Sequence, residues 1–333
     1  MADKEAAETY LPAARQALAE FPVAVQQIRT AAISENVSFR VTTADGSDFV
    51  LRLHRPGYNS LRELESEGLW RDALAEAGLQ VQRALAARDG RHFIPVTIEA
   101  TGERRYASLV SWLPGQVLGG GPLAVAGAAE RQAIFRDLGR FAARIHNQAA
   151  GWQEPPGFER PRLDSDGLLG EQPRWGRFWE HGALTQAERS LLLAVRERLR
   201  AMLESYGANA ENFSLIHADL HPENVLIDPQ GRLGVIDFDD SAYGWHGYDL
   251  ASALIEEHCA EDFSALQGAL LAGYREFRTL PARDEAMLPR FMLLRGMALT
   301  GWVHERPEHA GDEYFEGIRA MVLARSRALL EEP

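Results

Sequence analysis

Lysine is almost missing from this chain. Lys4 is the only one in 333 residues, so any cation that works inside the fold must be Arg or His. Cysteine occurs once, at Cys259. One cysteine excludes an intrachain disulfide and suits a reducing cytosol, and Cys259 is expected as a small buried apolar residue. No stretch is long and apolar enough to span a bilayer. The N-terminal segment lacks a basic start followed by an apolar run, which excludes a signal peptide. Positive charge is also scarce: 35 basic residues face 48 acidic ones, a net charge of −13. That balance excludes a general nucleic-acid binder and is compatible with a cationic substrate.

Hydrophobic residues are not lacking. They make up 46% of the chain, enough for a real core. Residues 8–28 read as a helix. Val37–Val41 alternates apolar and polar residues, 44–47 is a turn, and Phe49–His54 is a second strand, so the two form a hairpin. Ser60–Ala77 reads as a helix with Gly78 at its C-cap, and strands follow near His92–Val96 and Tyr106–Trp112. Beyond Gly119–Gly121 the texture is helical: Gln132–Gln148, Thr185–Tyr206, Tyr248–Glu257, Phe263–Phe277, Pro289–Trp302 and Tyr314–Leu330. Thr185 and Glu188 have capping-box spacing. Residues 150–176 form an irregular excursion. The order predicts an α+β protein: a small antiparallel sheet lobe with one helix over 1–112, then a larger, mainly helical lobe over 113–333.

Chemistry concentrates in HADLHPENVLIDPQGRLGVIDFDD, residues 217–240. Val225–Ile227 and Leu233–Ile236 read as short strands about the turn Asp228–Gly231. If Val225 pairs with Ile236, Asn224 falls opposite Asp237 at the open end of the hairpin, and Asp219 lies on the loop that feeds it. Hard oxygen ligands without cysteine suit Mg²⁺, which takes one or two carboxylates and leaves other positions to substrate phosphates. Asn224 and Asp237 fit as metal ligands, and Asp219 is then left to orient an attacking hydroxyl. A different reading makes His217, Asp219 and His221 a transition-metal chelate of a metallohydrolase. It leaves Asn224 and Asp237 unexplained.

His217, Asp219 and Asn224 stand at the spacing His-x-Asp-x-x-x-x-Asn, and Ile236-Asp237-Phe238 follows the hairpin. In these motifs the chain resembles the aminoglycoside phosphotransferase and choline kinase superfamily, over roughly residues 30–305. The resemblance implies a bilobal protein-kinase-like fold, ATP and Mg²⁺ as cofactors, and transfer of the γ-phosphoryl group to a small-molecule hydroxyl. It implies Asp219 as catalytic base, Asn224 and Asp237 as metal ligands, His217 as a support of the loop and Asp249 as its brace. In the first lobe it implies Arg52 as the cation on the nucleotide phosphates, paired with Glu67, with Glu63 as competitor. By strand alternation Arg52 faces away from Leu51 and Leu53. The stretch 110–113 resembles the inter-lobe connector, so the backbone at Val110 and Trp112 is expected to meet adenine. Residues 33–38 hold no glycine, which leaves groups near Ser34 and Asn36 to cradle the triphosphate.

The acceptor is expected to be an aminoglycoside, choline, homoserine or a similar amino alcohol, with the acids Asp239, Asp240, Glu256 and Glu257 as a hint of a cationic group. A Ser/Thr protein kinase resembling the bacterial stress-response kinase is the alternative, and an inactive nucleotide-binding regulator is a further one. His146, Trp175 and Trp179 are expected in packing, although aromatic faces can also bind quaternary ammonium. His221 is expected as local scaffolding. No nucleic-acid or membrane partner is expected, and the location is expected to be cytoplasmic.

Overall fold

The computed structural model of the protein describes residues 2–33, 36–309 and 311–332. The chain starts with α1 (Ala2–Glu20), β1 (Val25–Ile33), β2 (Val37–Thr43) and β3 (Asp48–Leu53). Then come α2 (Leu61–Glu76), β4 (Gln80–Val81), β5 (Ala84–Leu85), β6 (Ile94–Thr97) and β7 (Arg104–Ser111). β8 (Gln116–Val117), α3 (Pro122–Val125), α4 (Ala128–Gly151), β9 (Arg162–Leu163) and α5 (Ser165–Leu169) follow. The rest is α6 (Gln186–Tyr206), β10 (Phe213–Ile216), β11 (Val225–Ile227), β12 (Leu233–Val235) and β13 (Ala242–Trp245). Four helices close the chain: α7 (His246–Leu254), α8 (Phe263–Arg275), α9 (Ala282–His304) and α10 (Glu313–Glu331). Among the described residues no helix is long and apolar enough to cross a membrane.

Two compact units result. The first takes the chain through Gln116 together with Gln153–Arg160 and Leu226–Asp239; the second takes Val117–Trp152, Pro161–Val225 and Asp240 onward. The division therefore falls after Gln116 rather than residue 112, and two later segments join the first unit. One of them carries Asp237 and Asp239.

The first unit is built on an antiparallel sheet in the order β1-β2-β3-β7-β5, with β6 also on β7. Val37, Phe39 and Val41 of β2 and Leu51 and Leu53 of β3 point to one face and are buried. Ala13, Ala14, Ala17, Leu18 and Phe21 of α1 join the same core. Each such Leu or Phe contributes roughly 1.5–3 kcal/mol, so this face holds the sheet. Arg52, between two buried leucines, is turned to the opposite face. Ser60 caps α2 in a capping box with Glu63. β4 pairs in parallel with β12, which lies beside β11.

The second unit is mainly helical. α6 starts at the expected capping box of Thr185 and Glu188. α4 and α8 pack where Gly139 and Gly273 leave room. A Cβ on Gly273 would strike the carbonyl of Arg136, and one on Gly139 the carbonyl of Leu270. A small sheet takes β10, β13 and β9, with β10 antiparallel to β13.

Four expectations need correction. The helix expected over 8–28 ends at Glu20, just before Pro22, and the rest becomes β1. β1 is an edge strand with almost every residue exposed, so it carries no alternation to read. The stretch 150–176 is not wholly irregular, since it contains β9 and α5. α9 begins at Ala282 behind Pro281, and Pro289 lies inside the helix instead of starting it. Cys259 is exposed, because it sits in the turn between α7 and α8.

The helix contact gives a test. Gly273→Ala should lower unfolding stability by about 1–3 kcal/mol, because backbone, not a flexible side chain, meets the new methyl. Urea denaturation measures this, and a loss below about 0.5 kcal/mol would show that the crossing is looser than described.

Candidate active site

The second unit supplies a rigid loop. β10 delivers the chain to His217, whose N–H donates to Asp249 Oδ2 at 3.0 Å. The next N–H, of Ala218, donates to Asp249 Oδ1 at 2.6 Å. His146 Nε2 meets the same carboxylate at 3.1 Å, and Ser252 Oγ donates to the Ala218 carbonyl at 3.1 Å. Ala218 needs this hold, because its φ is +68°. A left-handed non-glycine residue costs of order 1–3 kcal/mol and persists only where its surroundings fix it. Asp249 is fully buried; burial lifts its carboxyl to about 6 against the pull of His217 and the two N–H donors. It thus braces the loop.

The strained turn presents Asp219. Its Oδ1 pairs with Arg295 of α9. Its Oδ2 accepts from Asn224 Nδ2 at 2.9 Å and lies 3.3 Å from His221 Nε2. Burial opposes the charge, but the imidazolium of His221 and the guanidinium of Arg295 outweigh it and hold the carboxyl far below its ordinary value. Asn224 also donates to the Asp219 carbonyl at 3.0 Å. Its amide hydrogens therefore face the loop, and its Oδ1 is the oxygen left for a cation.

His221 is more than scaffolding. Its Nδ1 lies 2.7 Å from Glu256 Oε1, so the ring sits between two carboxylates. Burial favours the neutral ring, but Asp219 and Glu256 prevail and push its pKa up to about 10. His146 behaves oppositely: buried against Tyr274 and Asp249, it is driven down to about 3 by burial and Arg278. Close to Arg295, the guanidinium stands 5.9 Å from the Trp175 ring, and Trp175 Nε1 donates to Asp240 Oδ1 at 3.3 Å. Trp175 also stacks on Tyr248, with ring centroids 6.1 Å apart.

The first unit holds the other carboxylates. Asp237 has φ +62°, and with Ala218 it is one of two non-glycine residues at positive φ among the described residues. Arg52 Nη1 lies 2.8 Å from Asp237 Oδ1 and 3.1 Å from Asp239 Oδ1. Asp239 is buried further than Asp237. Its Oδ2 accepts from Asn36, and its carbonyl accepts from Asn59 at 3.0 Å and Arg160 at 2.8 Å. Burial raises its carboxyl, but Arg52 and the other donors win and bring it down to about 2.

Arg52 is held more closely by Asp237 and Asp239 than by the expected Glu67, whose charge also acts on it. Among the described residues Arg52 makes no salt bridge with Glu67; Glu67 lies fully buried 3.4 Å from Arg71 Nε, one turn along α2. The sequence supplied a nearer partner, since the hairpin returns Asp239 to Arg52. Val110 lies inside β7, flanked by Val50 and Ala84, so it is not on a free connector. Trp112 N–H already donates to Asp48 O at 3.2 Å, and Arg40 lies 4.5 Å over its ring. Asn36 turns its side chain to Asp239 and to the Arg55 N–H. Ser34 lies outside the described residues.

The chelate reading of His217, Asp219 and His221 fails on geometry. His217 is buried with Nδ1 turned back to the Asp219 N–H at 3.3 Å, and His221 is taken up by Glu256. Among the described residues no three His, Cys, Asp or Glu side chains gather as a metal cluster. Asp237, half-buried in the first unit, and Asn224, in the second, each carry a hard oxygen donor of the type Mg²⁺ accepts.

The model of the phosphotransferase enzyme family matches residues 27–287. The chain belongs to this family. A homoserine kinase from Azorhizobium caulinodans is 30% identical over 269 residues, covering 80% of this chain and 75% of its own. The structure of a microcompartment-associated aminopropanol kinase superposes with a TM-score of 0.80 at 33% identity, covering 96% of each chain. An amicoumacin kinase in complex with AMP-PNP, Ca²⁺ and its ligand superposes at 0.77, with 97% of this chain and 96% of that one covered. At 20% identity that likeness shows the fold alone. The fold is thus protein-kinase-like, and the activity is that of a small-molecule kinase acting on hydroxyl groups.

Two residues of this phosphotransferase escape a reading of its motifs. Arg295 sits in Phe291–Leu299, an otherwise apolar run apart from Gly296. A lone arginine there signals a buried cation that needs a partner. His221 is inside the motif, but its partner Glu256 is 35 residues away and only the fold brings it close.

The histidines give a second test. In NMR titrations His221 should stay protonated between about pH 5 and 8, where an ordinary histidine titrates, and Glu256→Gln should move it back towards 6.5. Because its folded value is raised, its contribution to stability is complete below 6.5 and fades as pH climbs towards about 10. His146, with a depressed value, contributes fully above 6.5 and loses that contribution as pH falls towards about 3. A His221 signal that titrates near 6.5 in the native protein would contradict the two-carboxylate setting.

Proposed function

We propose that this phosphotransferase moves the γ-phosphoryl group of Mg²⁺-bound ATP to the hydroxyl of a small amino alcohol. The observation that carries the reading is Asp219, a carboxylate kept charged and fixed at the end of a strained, braced loop. The acceptor oxygen attacks the γ-phosphorus, the bond to the β–γ bridging oxygen breaks, ADP leaves, and the hydroxyl proton passes to Asp219. A carboxyl held so far below its ordinary value is a weak base at the start. It aligns the hydroxyl and takes the proton late, which suits a loose transition state.

Asp237 and the amide oxygen of Asn224 are the proposed ligands of the magnesium, which when bound offsets phosphate charge. Arg52 is the proposed grip on the non-transferred phosphates. An arginine there offers a planar, permanently charged fork that suits phosphate oxygens. Asp239, not Glu67, is the proposed anchor of that arginine. The adenine would meet the backbone of the connector that begins at Trp112.

The second unit supports the proposed acceptor class. Asp240, a half-buried carboxylate of the second unit that accepts from Trp175 Nε1, suits an ammonium group. The relatives named for homoserine and aminopropanol both act on a hydroxyl in a molecule that also bears an amine. No observation favours a protein acceptor, and an inactive regulator would not need Asp219, Asn224 and Asp237 together.

A panel of 1-amino-2-propanol, ethanolamine, choline, homoserine and an aminoglycoside, assayed by ADP release, tests the reading. One of the first four should turn over. Asp219→Asn should then cut kcat by about 10²–10⁴-fold while AMP-PNP affinity holds. Retention of kcat within about tenfold would remove Asp219 from the reaction. For the anchor, Asp239→Asn should weaken AMP-PNP binding more than Glu67→Gln does, and the reverse order would restore Glu67 as the partner of Arg52.

A further inference from the structure

We propose that Arg295 is a positioning residue for Asp219, setting the direction in which its carboxylate meets the acceptor hydroxyl. The inference rests on the reading of Asp219 as the acceptor of that proton. It concerns a residue of α9 that lies 76 positions beyond Asp219 and in none of the motifs.

Three observations carry it. First, Arg295 is only 5% exposed, in a helical stretch whose sequence neighbours Phe291, Met292, Leu293, Leu294 and Met297 are also buried. A buried guanidinium is unfavourable unless its partners are well placed. Other ion pairs among the described residues are of another kind. Arg91–Asp89, for example, stands about half in water, where an ion pair contributes little. Arg295 is therefore a buried cation whose salt bridge among the described residues is to Asp219.

Second, the contacts on Asp219 divide by oxygen. Arg295 takes Oδ1, while Asn224 and His221 share Oδ2. Asn224 and His221 come from the loop that carries Asp219, so they move with it. Arg295 comes from a separate helix and fixes the carboxylate against a frame outside the loop. Rotation of the carboxylate about χ2 is blocked only when both oxygens are held. Orientation matters because a displacement of about 1 Å at a reacting group can cost about 10²-fold in rate.

Third, the guanidinium is itself placed. It lies beside the face of Trp175, and Trp175 is fixed by its hydrogen bond to Asp240 and its stacking on Tyr248. Tyr248 and Asp249 are adjacent on α7, so the helix that braces the loop backbone also sets the wall behind the arginine.

The test uses Arg295→Met, Arg295→Lys, Asp219→Asn and the double variant in the full chain, with the amino alcohol that the wild type phosphorylates. Arg295→Met should lower kcat about 10²-fold and leave the acceptor KM and AMP-PNP affinity within about threefold. Arg295→Lys should recover part of kcat, as should added guanidinium with the Met variant. In urea unfolding, Arg295→Met should shift the midpoint down, and the double variant should regain most of that shift, because the uncompensated carboxylate is gone. An acceptor KM that rises with kcat unchanged would make Arg295 an acceptor-binding residue and overturn the proposal. So would a double variant no more stable than Arg295→Met. A wild type that transfers to no alcohol would defeat the underlying reading, and the inference with it. That failure shows in the wild-type arm alone, whatever the unfolding cycle gives.

Discussion

Asp219 stands partly out of water, and its charge there depends on two fixed cations, Arg295 and His221. A carboxylate moved out of water tends to take up a proton, and only a close, well-oriented cation prevents it. Much of the second unit serves that requirement. α9 carries Arg295, the turn after α7 carries Glu256 to keep His221 protonated, and α7 carries Asp249 to hold the loop backbone in its strained turn. The chemistry proposed for Asp219 is modest, since phosphoryl transfer relies on positioning and electrostatics more than on a strong base. A rigid, permanently charged group suits that task better than a basic one.

The first unit meets the same constraint with the same residue type. Arg52 neutralises Asp237 and Asp239, and Asp239 is tied down by Asn36, Asn59 and Arg160. A chain with a single lysine has to use arginine in both units. Arginine keeps its proton in any protein setting, so neither pair can relax by losing the cation's charge, as a buried lysine could. In its proposed role Arg52 would turn from carboxylates to nucleotide phosphates without changing its protonation.

Much of this was legible in the sequence. Alternation in Val37–Val41 and Phe49–His54 marked the central strands and turned Arg52 away from the core, as the structure has it. The capping box at Thr185 fixed the start of α6. The spacing of His217, Asp219 and Asn224 identified the loop. What escaped depends on distance along the chain. β1 is exposed along its length and has no pattern to read. The resemblance implies Glu67 of α2 as the partner of Arg52; Glu67 lies nearest Arg71, and Asp239 comes closer to Arg52. Arg295 and Glu256 touch the site only through the fold, and a motif cannot register a residue that lies outside it. The signal for Arg295 was physical: a cation within an apolar helix requires a counter-charge.

The central claim is that the γ-phosphoryl group passes intact to an amino-alcohol oxygen. The direct measurement is mass spectrometry of the products formed from Mg²⁺ and ATP labelled with ¹⁸O at the three terminal γ-oxygens, with the amino-alcohol mixture as acceptor. One acceptor should gain a phosphoryl group that carries all three labels, with ADP released in equal amount. Label found only in inorganic phosphate, or on the protein itself with every amino alcohol unchanged, would contradict the account.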